Sequence, residues 1–150
     1  MLGGFEMAVI VCGGVIEKDG KFLLVQEAKK ECEGKWNIPA GTLDKTETIY
    51  EAAKREISEE CGCRVELTGV LRIVNKIIGD TSVLIVIFST KLLEENIKFD
   101  ENEIKKAKWF SYDEIINMKE ELRSYNWITD VITRYVNNKI YDIDIFNVCN

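Results

Sequence analysis

Glu56, Glu59 and Glu60 fall three and four residues apart within Arg55-Glu56-Ile57-Ser58-Glu59-Glu60. On a helix, residues at those separations are surface neighbours. Carboxylates gathered in this way repel one another unless a cation neutralises them, and hard oxygen donors favour Mg²⁺ or Mn²⁺ over zinc or copper. Placing Thr48–Cys61 on a wheel at about 100° per residue sharpens the reading. Ile49, Ala52, Ala53 and Ile57 share one arc, and Glu56, Glu59 and Glu60 lie within that arc and at its edge. Glu51, Lys54, Arg55 and Ser58 take the opposite side. A glutamate-rich helix is ordinarily a solvated face. Here the acids continue the stripe a core would cover, where clustered like charges are costly without compensation. The wheel alone suggests a magnesium site.

The chain has no histidine, which removes histidine-based triads and imidazole ligation and leaves carboxylates to do the chemistry. Its cysteines are Cys12, Cys32, Cys61, Cys63 and Cys149, an odd number without a disulfide-framework spacing. Cys61-Gly-Cys63 has no second pair to complete a zinc site, so all five read as small hydrophobes.

The elements that must position the glutamates can be read from the same chain. Ala8–Ile16 and Lys21–Glu27 are apolar, β-rich runs around Lys18-Asp19-Gly20, a hairpin pattern. A polar loop from Lys29 to Gly34 precedes the short Trp36–Pro39 segment. Thr48 to about Cys61 is helical, with Gly62 as its terminator. Strands follow near Arg64–Lys76 and Thr81–Leu92, joined by a Gly79-Asp80 turn, and near Lys105–Phe110. Ser111-Tyr112-Asp113-Glu114 reads as a capping box. A closing helix spans about Ser124 to Asn137, with Trp127, Ile128, Val131, Ile132 and Tyr135 at helical spacing. Strands and helices interleave without regular βαβ units. The expected class is α/β in the mixed (α+β) sense, with a mixed sheet covered by helices on both faces.

Composition bounds the function. The 150 residues are one domain's length and are 46% hydrophobic and 31% charged, an ordinary globular balance. A net charge of −6 opposes binding to nucleic acid polymer. Bound cations can still reverse the local field for a phosphate substrate. No apolar run reaches the roughly 18 residues of a membrane span, and Met1–Met7 lacks a signal peptide's basic start. The expectation is a cytoplasmic protein.

Around the glutamates runs a longer pattern: Gly41, five residues, Glu47, seven residues, Arg55-Glu56-Ile57-Ser58-Glu59-Glu60, one residue, Gly62. It resembles the signature box of the Nudix (MutT-like) hydrolases, G-x5-E-x7-R-E-U-x-E-E-x-G-U with U aliphatic. All seven fixed identities match, a coincidence of roughly one in 10⁸ per start position at ordinary residue frequencies. Cys63 at the last aliphatic position is a mild departure. Lys35–Gly41, Glu103-Ile104, Trp109-Phe110-Ser111 and Glu114 also look family-like, so the resemblance covers about residues 8–137 of one domain spanning 1–150. It implies the family's α/β/α sandwich around a mixed β-sheet.

The resemblance also implies roles. Glu56, Glu59 and Glu60 become the Mg²⁺ ligands, with Mn²⁺ as the alternative ion and the Gly41 carbonyl as an additional donor. Arg55 and Glu47 orient that cluster, Arg55 as an ionic clamp. A further carboxylate from a later loop is expected, with Glu103 ahead of Glu101 and Asp100. The implied reaction is water attack on a phosphoanhydride phosphorus, assisted by Glu59 or Glu103 as base. Trp36 is the candidate for stacking a ring, against a plainer core role; Trp109 and Trp127 read as core.

Subfamily markers mostly subtract. The proline after the box typical of ADP-ribose pyrophosphatases is absent, since Pro39 is the sole proline. The NADH-type proline-rich motif falls on the same ground, and the dinucleoside polyphosphate tyrosine is replaced by Gly79–Thr81. The coenzyme A type's upstream motif is missing too. Trp36-Asn37-x-Pro39-Ala40-Gly41 with Leu122-Arg123-Ser124 is similar to bacterial Nudix phosphatases of nucleoside di- and triphosphates and of thiamine-related pyrophosphates. In that reading Arg123 contacts a substrate phosphate. The alternatives are an ADP-ribose-type pyrophosphatase and an inactive nucleotide- or metabolite-sensing domain. The stretch Ile140–Cys149 is open to three readings: an extra strand, a homodimer contact, or disorder.

Overall fold

The computed structural model describes residues 8–149. The expectation for Met1–Met7 falls outside them. Strand β1 (Val9–Val15) is followed by β2 (Glu17–Lys18), β3 (Lys21–Glu27), β4 (Trp36–Asn37) and β5 (Ala40–Thr42). Helix α1 (Ile49–Cys61) leads into the long strands β6 (Cys63–Ile78) and β7 (Thr81–Glu95), then β8 (Ile104–Ser111), α2 (Tyr112–Ile116) and α3 (Tyr125–Val136).

The strands form a mixed sheet in the order β5-β1-β7-β6 and a second sheet in which β3 pairs with β2, β4 and β8. In the first, β1 runs parallel to β7 and antiparallel to β5, and β6 runs antiparallel to β7. The second is antiparallel throughout. One mixed sheet was the expectation from periodicity, and the antiparallel sheet is the difference. Its cause lies in the first hairpin. Asp19 and Gly20 both have positive φ, the condition for a two-residue turn that matches strand twist, but only Glu17↔Phe22 and Lys18↔Lys21 pair across it. The rest of β1 pairs with β5 and β7, which frees β3 to join β8.

Strands buried on both faces read as continuous apolar runs, and β1 and β7 do so because helices cover both sides. Val15, Ile85 and Ile87 share one core with Phe22 and Leu24 of β3 and Ile128, Val131 and Ile132 of α3. Cys12, Val86 and Phe88 share another with Ala52 and Ala53 of α1. A third cluster joins Leu23 and Val25 of β3 to Ile57, Cys61 and Cys63. Helix α1 is thereby held from two directions.

Its ends are set locally. The Thr48 side chain accepts a hydrogen bond from the Glu51 N–H at 3.1 Å, and Gly62, with φ of 71°, donates its N–H to the Ser58 carbonyl at 2.9 Å. After α3 the chain crosses back: Val70 and Tyr141 exchange backbone hydrogen bonds, and Phe146 packs against Tyr50 and Phe88. The 140–149 stretch therefore closes over the N-terminal half of α1 with one isolated bridge and a short 3₁₀ turn at Ile143–Ile145. Among the described residues no helix is long and apolar enough to cross a membrane.

Candidate active site

Helix α1 carries Glu56 and Glu60 toward β5, at one side of a cavity of about 770 Å³. The Glu60 carboxylate accepts the Ala40 N–H at 3.1 Å. Gly41 lies so close to the Glu56 carboxylate that any Cβ at this position would strike it, which explains the glycine that opens the signature. Glu59 sits at the rim, its side chain 60% exposed against 15% for Glu56. The wheel groups all three carboxylates along one side, whereas the structure turns Glu56 and Glu60 inward and leaves Glu59 outward.

Arg55 departs from the wheel. Its Cα lies off the glutamate arc, yet its guanidinium folds back into the cluster. Nη2 and Nε meet Glu47 at 2.7 and 3.0 Å, Nη1 meets Glu56 at 2.8 Å and Glu59 at 3.2 Å, and Nη2 also donates to the Thr42 carbonyl. A wheel fixes where a side chain starts, and the planar fork of a long arginine decides where its charge ends. The bidentate arginine, with the Asp44 N–H donating to Glu47, holds the Glu47 carboxyl down at about 2. Arg55 is itself held more firmly protonated by Glu47. Burial acts the other way on the inward pair. It pushes the Glu56 carboxyl up and the Glu60 carboxyl well up, Glu60 being raised further by Glu27.

The remaining walls come from distant segments. Glu103 lines the cavity and pairs with Lys29 at 2.9 Å, and Asp100 lines it too. Glu27 at the end of β3 accepts from Asn37 at 3.2 Å and from Arg123 at 3.1 Å. Lys76 reaches Ser124 at 3.2 Å. Val83, Ile85 and Trp127 supply an apolar face. Trp36 does not line the cavity. Its ring packs edge-on against Phe110 at 4.9 Å, and the ring on the cavity wall is the half-buried Trp127, which packs against the core as helical periodicity assigns it and also faces the cavity. Glu27, Asn37, Lys29, Lys76 and Trp127 are the site residues that sequence reasoning passed over. Two of them carried a usable hint: Asn37 stands in the Trp36–Gly41 motif, and Trp127 lies in the first turn of α3, directly after Arg123-Ser124.

Among the described residues no three acidic or cysteine side chains are drawn together closely enough to hold an ion, and Glu56 and Glu59 are both hydrogen-bonded to Arg55. The donor set nevertheless fits a hard divalent cation. Glu56 and Glu60 are oxygen donors whose burial disfavours their charge, and the backbone of Gly41 lies against one of them.

Residues 5–131 match the family model of the NUDIX domain. The chain belongs to the NUDIX family. Among NUDIX relatives, Phosphatase NudJ of Escherichia coli O1:K1 / APEC is 32% identical over 142 residues, covering 91% of this chain and 88% of that protein. The human 8-oxo-dGDP phosphatase NUDT18 is 41% identical over 61 residues, covering 41% of this chain and only 19% of that protein. The match thus spans about a fifth of the human relative's length. A NUDIX hydrolase from Nitrosomonas europaea superposes with a TM-score of 0.86 at 31% identity, covering 95% of this chain and 98% of that one. The MutT protein from Methanosarcina mazei Go1, at 24% identity and a TM-score of 0.76, shares the fold.

Proposed function

We propose that this NUDIX domain is a Mg²⁺-dependent hydrolase, with Mn²⁺ as a substitute ion, that cleaves a phosphoanhydride bond of a small nucleoside di- or triphosphate or related organic pyrophosphate. The observation that carries the reading is the meeting, in one cavity, of the signature glutamates with an apolar wall and the cations Lys29, Lys76 and Arg123, of which Lys29 is paired with Glu103.

Glu56, Glu59 and Glu60, with the Gly41 carbonyl, would hold the ion. When bound, the cation offsets the charge on the anhydride oxygens and polarises phosphorus. Arg55 and Glu47 keep the carboxylates oriented, because the Arg55 fork already ties Glu47, Glu56 and Glu59 together. Arg123 takes a phosphate oxygen, and Val83, Ile85 and Trp127 cover the organic group. A rim carboxylate, Glu59 or Glu103, accepts the proton of the attacking water. The names of the NudJ and NUDT18 relatives, both phosphatases, support release of orthophosphate.

A phosphate-release screen with and without inorganic pyrophosphatase tests this across nucleoside di- and triphosphates, thiamine-related pyrophosphates and ADP-ribose, each with and without Mg²⁺. The expected result is Mg²⁺-dependent orthophosphate release from a diphosphate. Chromatography of AMP from ADP-ribose would instead identify an ADP-ribose-type enzyme. Silence from every substrate, by a folded protein that binds Mg²⁺ and nucleotide, would identify a sensing domain.

A further inference from the structure

Glu27 takes no part in the chemistry above, yet its side chain is only 9% exposed and it lines the cavity. A carboxylate removed from water needs partners. It has two, and both reach the same oxygen: Asn37 Nδ2 and Arg123 Nη1 donate to Oε1. The three residues come from β3, β4 and the segment before α3. That segment is stitched to β4 by the Trp36 N–H to the Glu121 carbonyl at 2.8 Å and the Arg123 N–H to the Trp36 carbonyl at 2.9 Å. The backbone of Arg123 is fixed, and Glu27 fixes its far end.

Arg123 remains open for a ligand. Its side chain is 48% exposed, and Nη1 makes its side-chain hydrogen bond among the described residues to Glu27, leaving the other N–H groups of the fork free. The next residue, Ser124, accepts from Lys76, which has no carboxylate partner among the described residues. Two cations from separate elements thus line one cavity that also holds the α1 glutamates, Lys76 being tied to the residue next to Arg123. A guanidinium fork suits phosphate oxygens only when its plane is aimed, and a long arginine without a fixed partner samples many rotamers.

We propose that Glu27 is a positioning residue: its buried carboxylate aims Arg123 so that the guanidinium, with Lys76, binds the second phosphoryl group of an organic diphosphate. This rests on the hydrolase reading above and adds to it a basis for choosing diphosphates over monophosphates.

Calorimetry with Mg²⁺ and two non-hydrolysable probes, methylene diphosphonate and methylphosphonate, tests it without requiring turnover. The wild type should bind the diphosphonate more tightly. Glu27→Ala should weaken diphosphonate binding about tenfold, the effect of one misaimed charge-assisted hydrogen bond. It should leave methylphosphonate and Mg²⁺ binding within about twofold. Glu27→Gln, whose amide oxygen still accepts from Arg123, should recover most of the loss. Glu27→Asp, shorter by one carbon, should not, and it keeps the prediction open if the alanine variant fails to fold. On an Arg123→Ala background, Glu27→Ala should add nothing, since the two act as one unit. Additive losses, unchanged diphosphonate binding, or a fall in Mg²⁺ affinity would overturn the assignment, the last by making Glu27 an ion ligand. Failure of the wild type to bind either probe with Mg²⁺ would sink the hydrolase reading itself, and the role of Glu27 with it.

Discussion

Arg55 touches Asp44, Glu47, Glu56 and Glu59, so four carboxylates depend on one planar cation. A lysine ammonium is a compact point charge on a flexible stem and cannot reproduce that fork. Arg55→Lys should therefore fold normally while Mg²⁺-dependent turnover falls by about 10–100-fold, the usual effect of losing a group that orients ligands. Activity within error of wild type would show that the glutamates orient themselves. At this scale the helical wheel was informative for Glu56 and Glu60, whose inward direction follows from backbone geometry alone. It was uninformative for the Arg55 guanidinium, whose position depends on the reach and planarity of a side chain. Glu27 and Lys76 were illegible for a different reason. They meet the glutamates only after β3 and β6 have been folded together, and no local periodicity encodes that meeting.

The elements announce themselves mainly at their ends. Gly62 closes α1 in the left-handed region, and a Cβ there would collide with the Asn96 carbonyl. Gly62→Ala should cost more than the roughly 1–2 kcal/mol of left-handed strain alone, read as a lowered denaturation midpoint. An unchanged midpoint would mean the helix ends elsewhere. The capping box of α2 forms as its spacing predicts, with Ser111 and Glu114 bonding reciprocally at 3.1 and 3.0 Å. Hydrogen bonds from the Ser111 backbone N–H, then from its hydroxyl, hold the Glu114 carboxyl below its ordinary value of 4.5. A lowered folded-state value stabilises the fold above the ordinary value and loses that contribution as pH falls through the folded one. Wild type should therefore outlast Glu114→Gln at neutral pH, with the gap closing below about pH 4.5. A gap independent of pH would place the effect in packing. The first hairpin was the element most misleading in sequence, because its turn residues were right while most of its expected partner strand pairs elsewhere.

Over the whole molecule, the architecture explains why one short helix can concentrate charge. Ala52, Ala53 and Ile57 are fully buried on the same side of α1 that carries Glu56 and Glu60, so the packing that fixes the helix also fixes the carboxylates. The NUDIX match and the fold shared with the Nitrosomonas europaea hydrolase agree with the signature, while the second sheet and the β6-bridged C-terminal stretch were out of reach of local patterns. The central claim is that buried α1 carboxylates hold the ion that hydrolysis requires. Glu60→Gln removes the charge of the more deeply set one and leaves its shape. The decisive measurement is phosphate release from the best diphosphate substrate across a Mg²⁺ titration, in wild type and Glu60→Gln, with unfolding midpoints recorded alongside. The wild type should be Mg²⁺-dependent, and the variant should fold as well, with turnover reduced by orders of magnitude and a higher Mg²⁺ requirement. Equal turnover and equal Mg²⁺ dependence in the two proteins would show that Glu60 does not hold the ion.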